Sequence, residues 1–385
     1  MAKVSANIFN VGVNDRNIDL FEGQYKVPNG MSYNSYVIID EKTAVFDTVD
    51  ARFGDEWLEN IKQALGERTP DYLIILHMEP DHSANIMKFA KRYPTAKIVG
   101  NSKTFVMMGE YFGQDFAENR VVVNENDTLA LGKHCIKFIF APMVHWPEVM
   151  VAFEQSQKIL FSADAFGKFG ALDADEEWDD EARRYYIGIV GKYGLQVRNL
   201  FAKLACCQIE KICPLHGPVL SENLPHYLGL YEKWASYSPE TDGILIVYAS
   251  VYGNTAKAAE SLKTLLLQKG TGNVAVYDLA RTDLSLCVAE AFKYSKIVFA
   301  STTYNGTVFP VMREFLEELI ERNFQNRTVA LIENGSWAPV AARTIKKKLE
   351  NSKNLKFIEP VITVRAALNE ESKRQIEVLA DELIK

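Results

Sequence analysis

The chain predicts two α/β domains, a sheet sandwich followed by a doubly wound parallel sheet. Three observations carry this. The chain has 385 residues, more than one ordinary hydrophobic core supports. Its first part mixes short strands and helices, and several of the strands empty into loops that carry His, Asp or Glu. Its last third is a regular alternation of strand and helix. The expected division is residues 1–241 and 242–385.

The bulk properties narrow the partners. Hydrophobic residues make up 48% and charged residues 24%, a globular balance, and the formal net charge is −7. A nucleic-acid partner is not expected, because phosphate binding needs a basic face. No run of about 18 apolar residues suggests a membrane span, and the start, MAKVSANIFN, has no apolar signal region. Five cysteines without a C-x-x-C pair argue against a disulfide framework or a thiolate metal site. The adjacent Cys206 and Cys207 read as small fillers in preference to a redox pair, and a reducing cytoplasm is the expected home.

In the first part, residues 35–49 read as two strands around the charged turn Asp40-Glu41-Lys42. Residues 54–66 place Trp57, Ile61 and Leu65 on one helical face. Residues 72–76 are a buried strand that runs into LHMEPDHSAN, where His77, Glu79, Asp81 and His82 fall within six positions. A helix is expected from 83 to 93, a strand at 97–100, a helix at 103–111 and strands at 121–123, 136–142, 149–153 and 159–162. His145, Asp164 and His216 follow later strands in the same way. Loops at one edge of a sheet sandwich gather such groups from distant parts of the chain.

Residues two apart in extended chain point the same way, so His77 and Glu79 are expected to grip one ion, with His145 as third ligand. Asp81, His82 and His216 are expected to hold a second, and the two oxygens of Asp164 to bridge them. A lone His or Asp at a strand end is usually a turn residue, but four within six positions directly after a buried strand are not. His82 could instead orient a ligand from behind. His134 and His226 lack the pattern and read as structural or surface groups. Imidazole with carboxylate and no thiolate suits iron, manganese or zinc.

The order H-x-E-x-D-H, His, Asp, His resembles the metallo-β-lactamase fold, whose hydrolases carry H-x-H-x-D-H. Glu79 in place of the second His is the mark of the flavodiiron proteins. The resemblance implies an αββα sandwich with two non-haem irons. A hard carboxylate in place of imidazole favours iron over zinc.

Beyond the polar stretch at 237–242, five strand–helix units follow within about 140 residues, the arrangement of a doubly wound parallel sheet. Ligands of such sheets sit beyond the carboxyl ends of the strands. Three loops lie there. Ser250, Val251, Tyr252, Gly253, Asn254 and Thr255 offer hydroxyls, an amide and a helix N-terminus to a phosphate dianion. No Lys follows the Gly, so this is not a Walker loop; it resembles the phosphate loop of flavodoxins. Thr302, Thr303, Tyr304, Asn305 and Gly306 form the second loop, and Asn334, Gly335, Ser336 and Trp337 the third. Tyr304 and Trp337 are placed to cover an isoalloxazine ring, although either could be a core aromatic. The resemblance implies FMN in these loops. The wording departs from the family in TTYNG and ENGSWAP.

Resemblance to flavodiiron proteins over nearly the whole chain implies an oxidoreductase. It would reduce dioxygen to water or nitric oxide to nitrous oxide in the cytoplasm. It implies electrons from a separate donor, rubredoxin or a reduced deazaflavin coenzyme, and a head-to-tail homodimer or dimer of dimers. Two other functions share these residues: a metallo-β-lactamase-type hydrolase fused to a flavodoxin domain, and a non-catalytic gas or redox sensor. Two zincs without flavin would mark the first, and absence of turnover the second. The spacing from Asp164 to His216 is short for the family, so residues 168–200 are expected to form a reorganised loop.

Overall fold

The computed structural model describes residues 2–385. The chain forms two compact units, Met1–Tyr231 and Glu232–Lys385. The division falls ten residues or so before the expected one at 241/242, inside the helix Leu224–Ala235. The reason lies in the turn after that helix. Arg327, which is buried, donates from Nη1 to Tyr237 O at 2.7 Å, and Glu240 N donates to Lys293 O at 2.9 Å. These bonds tie residues 237–240 to the second unit before its first strand begins at Thr241.

In the first unit a seven-stranded sheet runs Ala2–Lys3, Ile8–Asn10, Tyr36–Ile39, Thr43–Phe46, Tyr72–Ile74, Lys97–Gly100, Arg120–Val122. A five-stranded sheet runs Thr128–Ala130, Cys135–Phe140, Met150–Glu154, Ile159–Phe161, Lys211–Cys213. The period of two decides which side chains face where. Val37, Val45, Leu73 and Ile98 stand in register across four strands and share a core with Trp57, Ile61, Phe89 and Phe105 from the helices Gly54–Leu65, Ile86–Arg92 and Ser102–Phe112. Their neighbours Tyr36 and Phe46 face the other sheet, where Phe161 stacks on Phe46 at 4.2 Å and meets Tyr36 at 5.4 Å. This is the β-lactamase-like sandwich, two sheets face to face with helices outside.

Residues 168–200 are not the loop that the spacing suggested. They include the helix Trp178–Tyr185, a π-helical turn Tyr186–Val190 and the start of the helix Gly194–Leu204. Asp179, Asp180 and Glu181 sit in the first helical turn and Arg183 and Arg184 in the last, the arrangement the helix dipole favours. Cys206 is exposed rather than a filler.

In the second unit the parallel strands lie in the order Val274–Asp278, Thr241–Ala249, Tyr294–Tyr304, Thr328–Asn334, with Lys356–Phe357 and Ile362–Val364 at the edge. In chain order this is 2-1-3-4-5, the flavodoxin arrangement. The helices Asn254–Gln268 and Glu370–Ile384 bury Leu262, Leu266, Ile376 and Leu383 against Ile244, Ile246, Val298 and Ile332. Among the described residues, no helix is long and apolar enough to cross a membrane.

Candidate functional site

Parallel pairing puts the ligand-bearing loops at one edge of the sandwich. The strands Thr43–Phe46 and Tyr72–Ile74 run parallel and lead to Asp47 and His77; Ile159–Phe161 and Lys211–Cys213 run parallel and lead to Asp164 and His216. Leu215 N donates to Ala163 O at 2.9 Å and locks the last two loops together. The turns are tight. Asp47, Met143 and Ala163 hold φ of 52°, 65° and 51°, left-handed conformations that side chains other than Gly rarely adopt.

The structure brings all seven expected ligand residues into two adjoining groups. Donor atoms of His77, Glu79, His145 and Asp164 lie within 4.8 Å of one another, and so do those of Asp81, His82 and His216. Glu79 Oε2 is 3.0 Å from His145 Nε2 and 3.3 Å from His77 Nε2. His82 Nε2 and His216 Nε2 stand 2.9 Å apart. Asp164 lies between the groups. Its Oδ2 is 3.0 Å from His145 Nε2 and 3.3 Å from His77 Nε2; its Oδ1 is 3.2 Å from His82 Nε2 and 3.8 Å from His216 Nε2. Donors that share an ion at about 2.1 Å stand roughly 3–3.5 Å apart, and all of these spacings but the 3.8 Å one fall at or near that range. Extended chain carries the grip only as far as Glu79. Pro80–Ser83 is a helical turn, and that turn lets the adjacent Asp81 and His82 reach one point.

The donor set itself asks for cations. Asp81 Oδ1 and Oδ2 and Asp164 Oδ1 are buried without a hydrogen-bond partner, a costly state for carboxylate oxygens. Burial presses His77 toward its neutral form, but Asp164, Glu148 and Glu79 outweigh it and raise its pKa well above the ordinary value. Burial would also raise Asp164, yet His77 and His82 hold it well below the carboxylate range. Phe21, Tyr33 and Tyr185 surround the His216 ring at 5.4, 5.8 and 5.5 Å and keep that side dry.

Two supporting residues escaped sequence reasoning. Glu148 Oε1 accepts from His77 Nδ1 at 2.8 Å and from Met78 N at 2.8 Å. Asp47 Oδ1 accepts from Leu76 N at 2.8 Å and His77 N at 3.2 Å, and burial pushes its pKa up to about 8. Glu148 carried one signal, its place in HWPEVM directly before a buried strand. His134 is buried with Nδ1 3.1 Å from Glu154 Oε1, and His226 is exposed beside Asp179.

In the second unit the three loops enclose a cleft of about 580 Å³. Every residue expected there lines it except Gly253, and Ala338 and Ala366 join the wall. Gly253 acts through its backbone. Its φ of 85° turns the chain into the helix Asn254–Gln268, whose N-terminus has no side-chain cap. The first N–H groups of that helix are thus left for an anion. Thr303 Oγ1 accepts from Val340 N at 3.0 Å and Asn334 Nδ2 donates to Ala366 O at 3.2 Å, so both side chains hold loops in place. Tyr252 is 92% and Trp337 89% exposed, which rules out the core reading for Trp337.

Comparison with known proteins follows the same division. Residues 31–217 match the family described as ODP family beta lactamase, and residues 245–372 match the flavodoxin domain. An uncharacterized protein of Methanocaldococcus jannaschii is 30% identical over 96% of this chain and 94% of its own length. A nitric oxide reductase of Moorella thermoacetica is 27% identical over 94% of this chain and 92% of its own. Among solved structures, the rubredoxin oxygen:oxidoreductase of Desulfovibrio gigas superposes with a TM-score of 0.90, at 26% identity, over 99% of this chain and 97% of that one.

Proposed function

The chain belongs to the flavodiiron protein family of oxidoreductases, with FMN and two non-haem irons as cofactors, and we propose that it reduces dioxygen to water or nitric oxide to nitrous oxide in the cytoplasm. Electrons would pass through FMN from a separate donor. The names of its relatives point to nitric oxide and dioxygen as substrates and to rubredoxin as donor, with a reduced deazaflavin coenzyme as the other option. A head-to-tail homodimer, alone or paired, would bring the flavin of one protomer to the metals of the other.

The observation that carries this reading is Asp164, with one oxygen toward each group. His77, Glu79 and His145 would hold one iron, Asp81, His82 and His216 the other, and Asp164 both, with His82 as a direct ligand. When bound, the irons and the flavin supply the electron-transfer chemistry. The protein's part is to fix the donors and keep water out. The aromatic wall around His216 does the second. The uncapped helix N-terminus at Asn254 would take the FMN phosphate, and Tyr252, Tyr304 and Trp337 would cover its ring.

The deciding experiment is anaerobic reduction of the purified chain followed by separate pulses of dioxygen and nitric oxide. Consumption of either gas over many turnovers, with water or nitrous oxide as product, is expected. Two zincs per chain, no flavin and no gas consumption would overturn the reading in favour of a hydrolase.

A further inference from the structure

The outer nitrogens of the ligand histidines have unequal partners. His77 Nδ1 donates to a carboxylate, Glu148, which is only 1% exposed. His216 Nδ1 donates to a neutral backbone carbonyl, Ser32 O, at 2.7 Å. His82 Nδ1 is buried with no hydrogen-bond partner. Glu148 is anchored at one carboxylate oxygen and at its backbone. Its Oε1 also takes Met78 N, and Asn101 Nδ2 donates to its carbonyl at 2.5 Å. A carboxylate behind a ligating imidazole fixes its tautomer and makes the inner nitrogen a stronger donor; a carbonyl does so less, and no partner not at all. Charge points the same way. Beside the shared Asp164, the first group has Glu79 and, behind His77, Glu148; the second has Asp81.

We propose that Glu148 makes the two metal positions unequal, so that the His77–Glu79–His145 position binds its divalent cation first and more tightly than the Asp81–His82–His216 position. This rests on the reading of these residues as metal ligands. Glu148 touches neither ion nor substrate and is a positioning residue. It acts through His77 alone, because its bonds go to His77, to the next backbone N–H and to Asn101.

The test uses the full chain with FMN retained, freed of metal by chelation and titrated anaerobically with ferrous iron against a competing chelator. Two separated uptake steps are expected. A crystal given one equivalent should show anomalous scattering at the His77 position. In Glu148→Gln the tight step should weaken by about 10–100-fold, while the weak step moves far less. Matching circular dichroism of the two metal-free proteins would exclude a folding defect; should Glu148→Gln fail to fold, Glu148→Asp, which keeps the charge but draws it back from His77, is titrated in its place with the same expected loss of the tight step. A single uptake step with both positions equally filled overturns the inequality and leaves the metal reading standing, as does first occupancy at His216. Equal weakening of both steps in the variant overturns the role of Glu148. A chain that takes up no iron overturns the metal reading itself.

Discussion

Asp164→Asn removes one charge from the centre of the site and leaves the shape nearly unchanged. Asp164 is fully buried, with Oδ2 3.0 Å from His145 Nε2 and 3.3 Å from His77 Nε2. In the metal-free protein burial disfavours the His145 cation, yet Asp164 and Glu79 raise its pKa to about 9. Against an ordinary value near 6.5, holding that proton at pH 7 is favoured by about 2 units, roughly 3 kcal/mol. Glu79 keeps part of this in the variant. His77, whose strongest cation-stabilising neighbour is Asp164, loses support in the same direction. A loss of about 3 kcal/mol agrees with the roughly 3–5 kcal/mol for stripping one partner from a buried pair. At about 2–4 °C per kcal/mol for a unit of this size, Tm should fall by roughly 6–12 °C. The sign follows from the raised pKa. The stabilisation is complete below pH ~6.5 and is lost as pH rises through about 9. The variant should therefore fall furthest below the parent near pH 6 and meet it near pH 10. Calorimetry of the chelator-treated proteins at both pH values measures this. Equal Tm at pH 6, or a gap that widens with pH, would refute the pairing.

Glu79→His replaces the carboxylate that lies 3.0 Å from His145 Nε2, and should move metal uptake toward zinc and lower gas reduction at least about tenfold, read by elemental analysis and gas consumption. Full activity with two irons retained would defeat that reasoning. Trp337→Ala removes an 89% exposed indole from the cleft rim and should weaken FMN binding by roughly 2–10-fold, the worth of about 0.5–1.5 kcal/mol of ring contact, in a fluorescence titration. Metal uptake at pH 7 should release protons, because His77, His145 and His216 all have raised pKa values in the metal-free protein and must lose their protons to ligate. Calorimetry in buffers of different ionisation enthalpy checks this; a heat independent of buffer would contradict it.

Residues that touch a ligand are written into the chain locally, and those that support them are not. A buried strand ending in imidazole or carboxylate is a violation of the surrounding pattern that a single window reveals, which is why His77 and Asp164 stand out. Glu148 lies 71 residues from His77, and Asp47 lies 30 before it. Each looks like an ordinary charged residue at a strand boundary, and only the pairing of strands shows what it touches. The same holds for the helical segment after Asp164. The short spacing to His216 suggested a reorganised loop, but Asp179, Asp180 and Glu181 open the first turn of the helix Trp178–Tyr185, where the helix dipole favours them. The second unit was easier to read because strand and helix alternate regularly and its central strands, Thr241–Ala249, Tyr294–Tyr304 and Thr328–Asn334, are long and largely buried. Five such units in a row admit few arrangements.

The approach to the metal centre separates the reductase from its hydrolytic rival by charge. A depression of about 430 Å³ leads to Glu79 and Asp81, lined by Asp19, Glu22 and Asp50 beside Arg52. Arg52 is already engaged, 2.7 Å from Asp15 and 2.8 Å from Asp50. Once metals satisfy Glu79 and Asp81, the remaining wall is still net acidic through Asp19 and Asp50, while burial and Glu79 push Glu22 up to about 7. An anionic ester, amide or phosphate would meet repulsion there, whereas dioxygen and nitric oxide are neutral and meet none. Screening then tells the two apart. With the protein reduced in advance and mixed with dioxygen or nitric oxide in a stopped flow, the single-turnover rate should stay level from about 50 to 500 mM salt, although the Debye length falls severalfold over that range. A substrate anion entering past Asp19, Glu22 and Asp50 would instead react faster as salt rises. A gas-reduction rate that climbs steeply with salt would mean that a charged species, not the gas, crosses this depression before the slow step, and the neutral-substrate argument would fall.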